Sequence, residues 1–255
     1  MSTENRLMIQ LLGQPRILWG DQPLTIPRKL ARVFMYYLAC QKSMVGRSDL
    51  VVLFWPESSN SRQHLRDLLS KLRAELPDPE IIRTDRDWIG LDYNKVNSDV
   101  LIFEDLYEQL SLPFLNIENR PLPEAIYQKL LNAIHMWAAP AFMYGHAPLD
   151  REDLDEWIID KNRKLRFKRL SLLMRAANHQ KAKGDLESAL SWLEMINEND
   201  DDYDFPQVIY HRLDVLYRLG RLSQAFEYGM LYIDEINTAW FAEYRLSFED
   251  RKSVV

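Results

Sequence analysis

One cysteine in 255 residues leaves no pair for an internal disulfide and no thiol cluster for a structural metal. Cys40 lies in the apolar run Val33 to Cys40 and reads as a buried thiol. That run is far shorter than the ~20 residues that cross a bilayer. The opening MSTENRLM lacks the basic-then-apolar pattern of a secretion signal. A cytoplasmic, nucleoid-associated location with no membrane partner is therefore expected. Glycine is sparse as well: the 8 glycines form neither G-x-G-x-x-G nor a phosphate loop, and there is no G-x-S-x-G. None of the histidines at 64, 135, 146, 179 and 211 has a second histidine four residues away. HLRD (64–67) matches a kinase catalytic loop only superficially. The acidic run DREDLDE (150–156) falls at a helix start, where acids complement the helix dipole. No catalytic residue, metal or cofactor is expected, and the chain reads as a non-enzyme.

Hydrophobic residues make up 47% of the chain, with 7 Trp and 12 Tyr, which suits packed cores rather than disorder. Positive charge is in short supply overall, and the formal net charge is −6. The deficit is uneven. Residues 1–99 hold 14 Lys and Arg against 12 Asp and Glu, whereas residues 100–255 hold 18 against 26. Residues 28–47 carry Arg28, Lys29, Arg32, Lys42 and Arg47 with no acid. Phosphates respond to the local patch, so an acidic total does not exclude nucleic acid.

The pattern along the chain places strands at 7–12 (LMIQLL), 16–19 (RILW) and 24–26 (LTI), with GDQP as a turn. Lys29 to Gln41 has helical spacing through Leu30, Val33, Phe34, Tyr37 and Leu38. A second helix is expected from Ser48, as N-cap, to the Trp55-Pro56 stop. A third, 60–76, is capped by Asn60 or Ser61. It turns Leu65, Leu68, Leu69, Leu72 and Leu76 to one side and Gln63, Asp67, Ser70 and Ala74 to the other. IIRT and DWIGLD form a hairpin around Asp85-Arg86-Asp87, with Trp88 expected in the core. From Ser98 onward everything reads as helical. Ile102, Phe103, Leu106 and Leu110 form one stripe and Ile126, Leu130, Ala133, Ile134 and Trp137 another. A helix that Asp150 can cap follows, with Asp153 three residues on giving a box-like start, and Trp157 on it is expected in the core. Gly184, Leu186 and Ala189 recur 36 positions on as Gly220, Leu222 and Ala225, close to the ~34-residue period of tetratricopeptide (TPR) hairpins. The acidic ENDDDYD (198–204) is the loop between the repeats.

Several stretches resemble the antibiotic-regulatory, SARP-type transcriptional activators. They are LLGQPRILWGDQPLTIPRKLARVFMYYLA, VGRSDLVVLFWPESSNSRQHLRDLLSKLR and IIRTDRDWIGLD, with W-P-E-S followed by LRDLLSKLR the most specific. SDVLIFEDL and YGHAPLDREDLDEWIIDKNRKLR resemble the bacterial transcriptional activator domain of the same family. The resemblance implies an α+β winged helix-turn-helix of the OmpR/PhoB class at 1–98, followed by an all-α, TPR-like domain at 99–255. It further implies binding to promoter repeats in double-stranded DNA, often by side-by-side protomers, so a homodimer is an expected assembly, and activation through RNA polymerase. In such a fold helix 60–76 enters the major groove and hairpin 81–92 is the wing. Alone, a basic amphipathic helix is most simply a solvated face; between W-P-E-S and a hairpin it reads as a recognition helix.

By side-chain chemistry, Gln63 suits adenine, Arg66 guanine and Ser70 either, with His64 and Asp67 completing the base-contact candidates. Asp67 can accept from a cytosine amine but repels phosphates. Arg28, Lys29, Arg32, Arg47, Arg62, Lys71, Arg73 and Arg86 are the candidates for the DNA backbone, Arg86 through the minor groove. The rival expectation is a TPR-like scaffold that binds a protein or signalling ligand, with DNA binding weakened or lost. The final FEDRKSVV stops soon after an expected helix, which suits either a short complete member or part of a longer chain.

Overall fold

The computed structural model describes residues 6–110, 120–196 and 206–232. A mixed α/β region with two sheets is followed by a helical region, as expected. β1 (Leu7–Gln10), β2 (Arg16–Trp19) and β3 (Gln22–Pro23) form an antiparallel meander. The third strand lies just before the expected 24–26, although Leu24 N–H still donates to Ile17 O at 2.8 Å. α1 (Lys29–Ala39), β4 (Val45–Gly46), α2 (Arg47–Phe54) and α3 (Ser61–Glu75) come next. Then come β5 (Ile82–Thr84), β6 (Trp88–Leu91), β7 (Val96–Ser98) and α4 (Asp99–Leu110). β7, on a segment with no alternating pattern, pairs parallel to β1 and completes the sheet order β3-β2-β1-β7. The second sheet is β4-β6-β5, and β5 and β6 are the expected hairpin. Helices α5 (Glu124–His135), α6 (Glu152–Lys183), α7 (Leu186–Glu194), α8 (Pro206–Arg218) and α9 (Leu222–Leu231) complete the described elements. No helix among the described residues is long and apolar enough to cross a membrane.

The chain forms two compact units, one of residues 1–109 and 135–167, the other of 110–134 and 168–255. In the first, the tail of β1 is tied down from distant sequence. Asp99 accepts from Leu11 N–H and Leu12 N–H at 2.8–2.9 Å. The carbonyls of Leu12, Leu11 and Gly13 accept from Ala138, Met143 and Tyr144 at 2.8, 2.8 and 2.9 Å. A Cβ on Gly13 would come within 3.1 Å of the Ala138 Cβ, so this close approach requires glycine. Phe103 stacks edge-on against Trp137, and Lys161 pairs with the nearly buried Glu104 at 3.2 Å. These contacts join residues 135–167 to the sheet region in one body.

Several local expectations are corrected. Ser48 lies inside α2, and Gly46 occupies the N-cap position. Ile102 is 41% exposed, off the stripe formed by Phe103 and Leu110. At the start of α6, Asp155 rather than Asp153 reaches back to Arg151 N–H and Leu149 N–H, at 3.2 and 2.9 Å. Trp88 is 49% exposed, because Ile89 and Leu91 take the inward side of the strand. Trp157 is half-buried against Tyr37 and Phe142. Cys40 is free and buried, and burial pushes its thiol pKa up. Residues 198–204 and the final FEDRKSVV lie outside the described residues.

In the second unit the 36-residue repeat is also a repeat of hydrogen bonds. Gly184 N–H donates to Lys181 O and Asp185 N–H to Gln180 O. At +36, Gly220 N–H donates to Tyr217 O and Arg221 N–H to Leu216 O. This is the Schellman pattern, with glycine at φ +83° and +73°. Ala189 and Ala225 are buried in one core with Leu193, Leu213 and Tyr228. A Cβ at either glycine meets nothing within 4 Å, so substitution strains only the backbone. Gly184→Ala and Gly220→Ala are each expected to cost about 1 kcal/mol in urea unfolding, nearly equally.

Candidate nucleic-acid interface

The turn that launches α3 is built around the end of α2. Phe54 is fully buried, its ring 5.1 Å from Phe34 and 5.8 Å from Tyr37. Trp55 N–H donates the last α2 bond to Val51 O at 3.0 Å. Pro56 has no N–H with which to continue the helix, and Ser58 N–H turns back to Trp55 O at 3.3 Å. Asn60 occupies the N-cap position of α3, but its side chain makes no cap bond; its carbonyl accepts from Gln63 N–H and His64 N–H. Ser61 N–H donates to Ser58 O at 3.3 Å.

α3 buries Leu65, Leu68, Leu69 and Leu72 and leaves Arg62, Gln63, His64, Arg66, Asp67, Ser70 and Lys71 exposed. All five base-contact candidates therefore share one solvent-facing surface. They are not independent of one another. Gln63 Nε2 donates to Asp67 Oδ1 at 2.8 Å, and Arg66 donates to Gln63 Oε1 at 3.3 Å. Both ends of the Gln63 amide are engaged, so a bidentate contact to adenine requires that chain to open. His64 faces the launching turn: its ring lies 6.0 Å from Trp55 and its Nδ1 is 3.3 Å from Ser58 Oγ.

The backbone-contact candidates fall into two groups. Arg73 donates to Thr84 Oγ1 at 2.7 Å and Ile82 O at 3.3 Å, tying α3 to β5. Arg47 donates to Asp85 O at 3.2 Å, behind the hairpin turn. Arg32 caps Ile26 O and Pro27 O at 2.7 and 2.9 Å, and Lys29 Nζ donates to Pro148 O. These four cations hold the fold together. Arg28, Arg62, Lys71 and Arg86 are exposed and have no side-chain hydrogen bond or ion pair among the described residues. Arg86 projects at the hairpin tip, where Asp85 Oδ1 accepts from Asp87 N–H and Trp88 N–H at 2.9 Å. The exposed Trp88, beside the turn of this hairpin, departs from the expected core position. Strand alternation was the signal: Ile89 and Leu91 inward place Trp88 on the opposite face. Among the described residues no group of three His, Cys, Asp or Glu could hold a metal ion.

No family model matches the chain, and no curated protein matches it. Among solved structures, Mycobacterium tuberculosis EmbR in complex with a low affinity phosphopeptide has the same fold, with a TM-score of 0.67 and 18% identity over 91% of this chain. The chain spans 61% of the length of that one.

Proposed function

We propose that this chain is a sequence-specific, DNA-binding transcriptional regulator, an activator of the SARP type. It places α3 in the major groove and hairpin 81–92 as the wing. The fold shared with EmbR accommodates this reading. The observation that carries the reading is the exposed polar face of α3 set above a buried leucine stripe and launched by a rigid Trp-Pro turn. In this reading residues 1–98 bind promoter repeats. Residues 99–255 serve protomer pairing, RNA polymerase or signal contacts, and the protein works in the cytoplasm without catalysis. Gel shift and footprinting on its own upstream region test this: salt-sensitive, sequence-selective binding is expected, and its absence overturns the reading. Arg66→Ala is expected to weaken specific binding by about 1–3 kcal/mol and to relax selectivity at one position.

One observation favours a second reading. The Asp67 carboxylate, held by Gln63 on the face that would meet DNA, repels phosphates. It suits a TPR-like interaction or ligand-sensing scaffold with weak DNA binding. Unchanged promoter output from an Arg66→Ala, Lys71→Ala double variant would favour that scaffold.

A further inference from the structure

The end of α2 is met by a side chain from nearly a hundred positions away. Arg151 Nη1 donates to the carbonyl oxygen of Phe54 at 2.6 Å. Phe54 is the last residue of α2, where a helix leaves its carbonyls without intrahelical partners. Pro56 has no N–H to offer, and Ser58 N–H donates to Trp55 O instead. The guanidinium is therefore the cap of α2, set one residue before the Trp55-Pro56 turn.

Arg151 is itself held in place. The Asp155 carboxylate accepts from Leu149 N–H at 2.9 Å and from Arg151 N–H at 3.2 Å, while Asp155 N–H donates to Arg151 O at 2.9 Å. Asp150 between them takes φ +57°, a left-handed conformation uncommon outside glycine and best tolerated by Asn and Asp. The same strap is anchored on its other side by Lys29 Nζ on Pro148 O. The strap thus runs from the start of α1 to the end of α2. Across a cleft from Asp150 and Arg151 lie Pro56, Ser58 and His64.

The geometry points to Arg151 as a positioning residue for DNA recognition, with Asp155 as its support: together they set the angle at which α3 leaves α2. Arg151 touches no base or phosphate in this role; it acts through Phe54 and the turn. The inference rests on α3 being the recognition helix, and its test separates the two ideas.

Arg151→Ala, Arg151→Lys and Asp155→Asn are compared with the unaltered protein at a temperature well below unfolding. Two readouts are taken. The first is amide hydrogen exchange over residues 55–64, which needs no DNA. Arg151→Ala is expected to speed exchange there at least tenfold, Asp155→Asn by less, and Arg151→Lys to restore most of the protection, because an ammonium can still donate to the Phe54 carbonyl. The second is affinity for the promoter fragment as a function of salt. Arg151→Ala is expected to weaken binding about fivefold to thirtyfold with the slope of log affinity against log salt unchanged. Loss of a direct phosphate contact would instead lower that slope by about one unit. Unchanged exchange in a folded Arg151→Ala protein overturns the inference, whatever the DNA result. So does changed exchange with unchanged affinity, or a reduced salt slope. If the unaltered protein binds no upstream sequence, the DNA-binding reading fails, and the exchange data alone decide whether Arg151 sets the turn.

Discussion

Phe54→Ala is expected to cost about 3–5 kcal/mol of stability, a large fraction of the ~5–15 kcal/mol that a domain commonly has. Its side chain is fully buried, and three rings converge on it: Phe34 at 5.1 Å, Tyr37 at 5.8 Å and Trp55 at 5.8 Å. Truncation removes the transfer free energy of the ring and leaves a cavity whose walls are themselves large aromatics, which collapse poorly into it. It also leaves the Trp55 indole without one of its packing partners at the start of the turn into α3. Urea unfolding followed by far-ultraviolet circular dichroism measures the loss. A cost below 1 kcal/mol would show that α2 and its turn are held by something other than this cluster. Phe54→Leu, which keeps an apolar side chain in the space, should recover more than half.

The second large effect is a pH dependence. Asp99 lies at the first turn of α4 and is largely buried, and burial raises its carboxyl from 3.8 to about 6. The N–H donors of Leu11 and Leu12 pull the other way and offset only part of that cost. The folded protein therefore holds this proton more tightly than the unfolded chain. Its contribution to stability is fully present below pH 4 and is lost as pH rises through about 6. For a carboxyl raised this far the contribution is about 3 kcal/mol. Asp99→Asn keeps an acceptor but does not titrate. The stability difference, unaltered protein minus variant, should fall steadily between pH 4 and pH 6.5 and then level off. A flat difference would mean that the carboxylate is as well solvated by its N–H partners as by water.

Regular periodicity made the α3 stripe legible: Leu65, Leu68, Leu69 and Leu72 recur at helical spacing and all are buried. The turn before it was legible because proline removes a donor and fixes a dihedral. The Gly184/Gly220 register was legible because a left-handed helix end has few residue choices. β7 was not legible, since its three residues gain their structure from parallel pairing to a strand some ninety positions earlier. Nothing in Val96-Asn97-Ser98 signals that partner. The roles of Arg73, Arg47, Arg32 and Lys29 were hidden for a similar reason. Sequence gives the charge, but whether the guanidinium or ammonium faces solvent or a neighbouring carbonyl depends on distant backbone. The Gln63–Asp67 bond, by contrast, follows from an i, i+4 spacing on one helix face.

The way β1 is tied down has a consequence for how the protein is made. Leu7, Ile9, Leu11 and Leu12 leave the ribosome early, yet the donors for the Leu11, Leu12 and Gly13 carbonyls sit at residues 138–144. At ~5–20 residues per second, that interval is on the order of ten seconds of translation. β2 can pair with β1 almost at once, but the three carbonyls beyond the strand stay without these partners throughout that interval. The rate of synthesis between β7 and residues 138–144 therefore sets how long the tail of β1 waits to be closed.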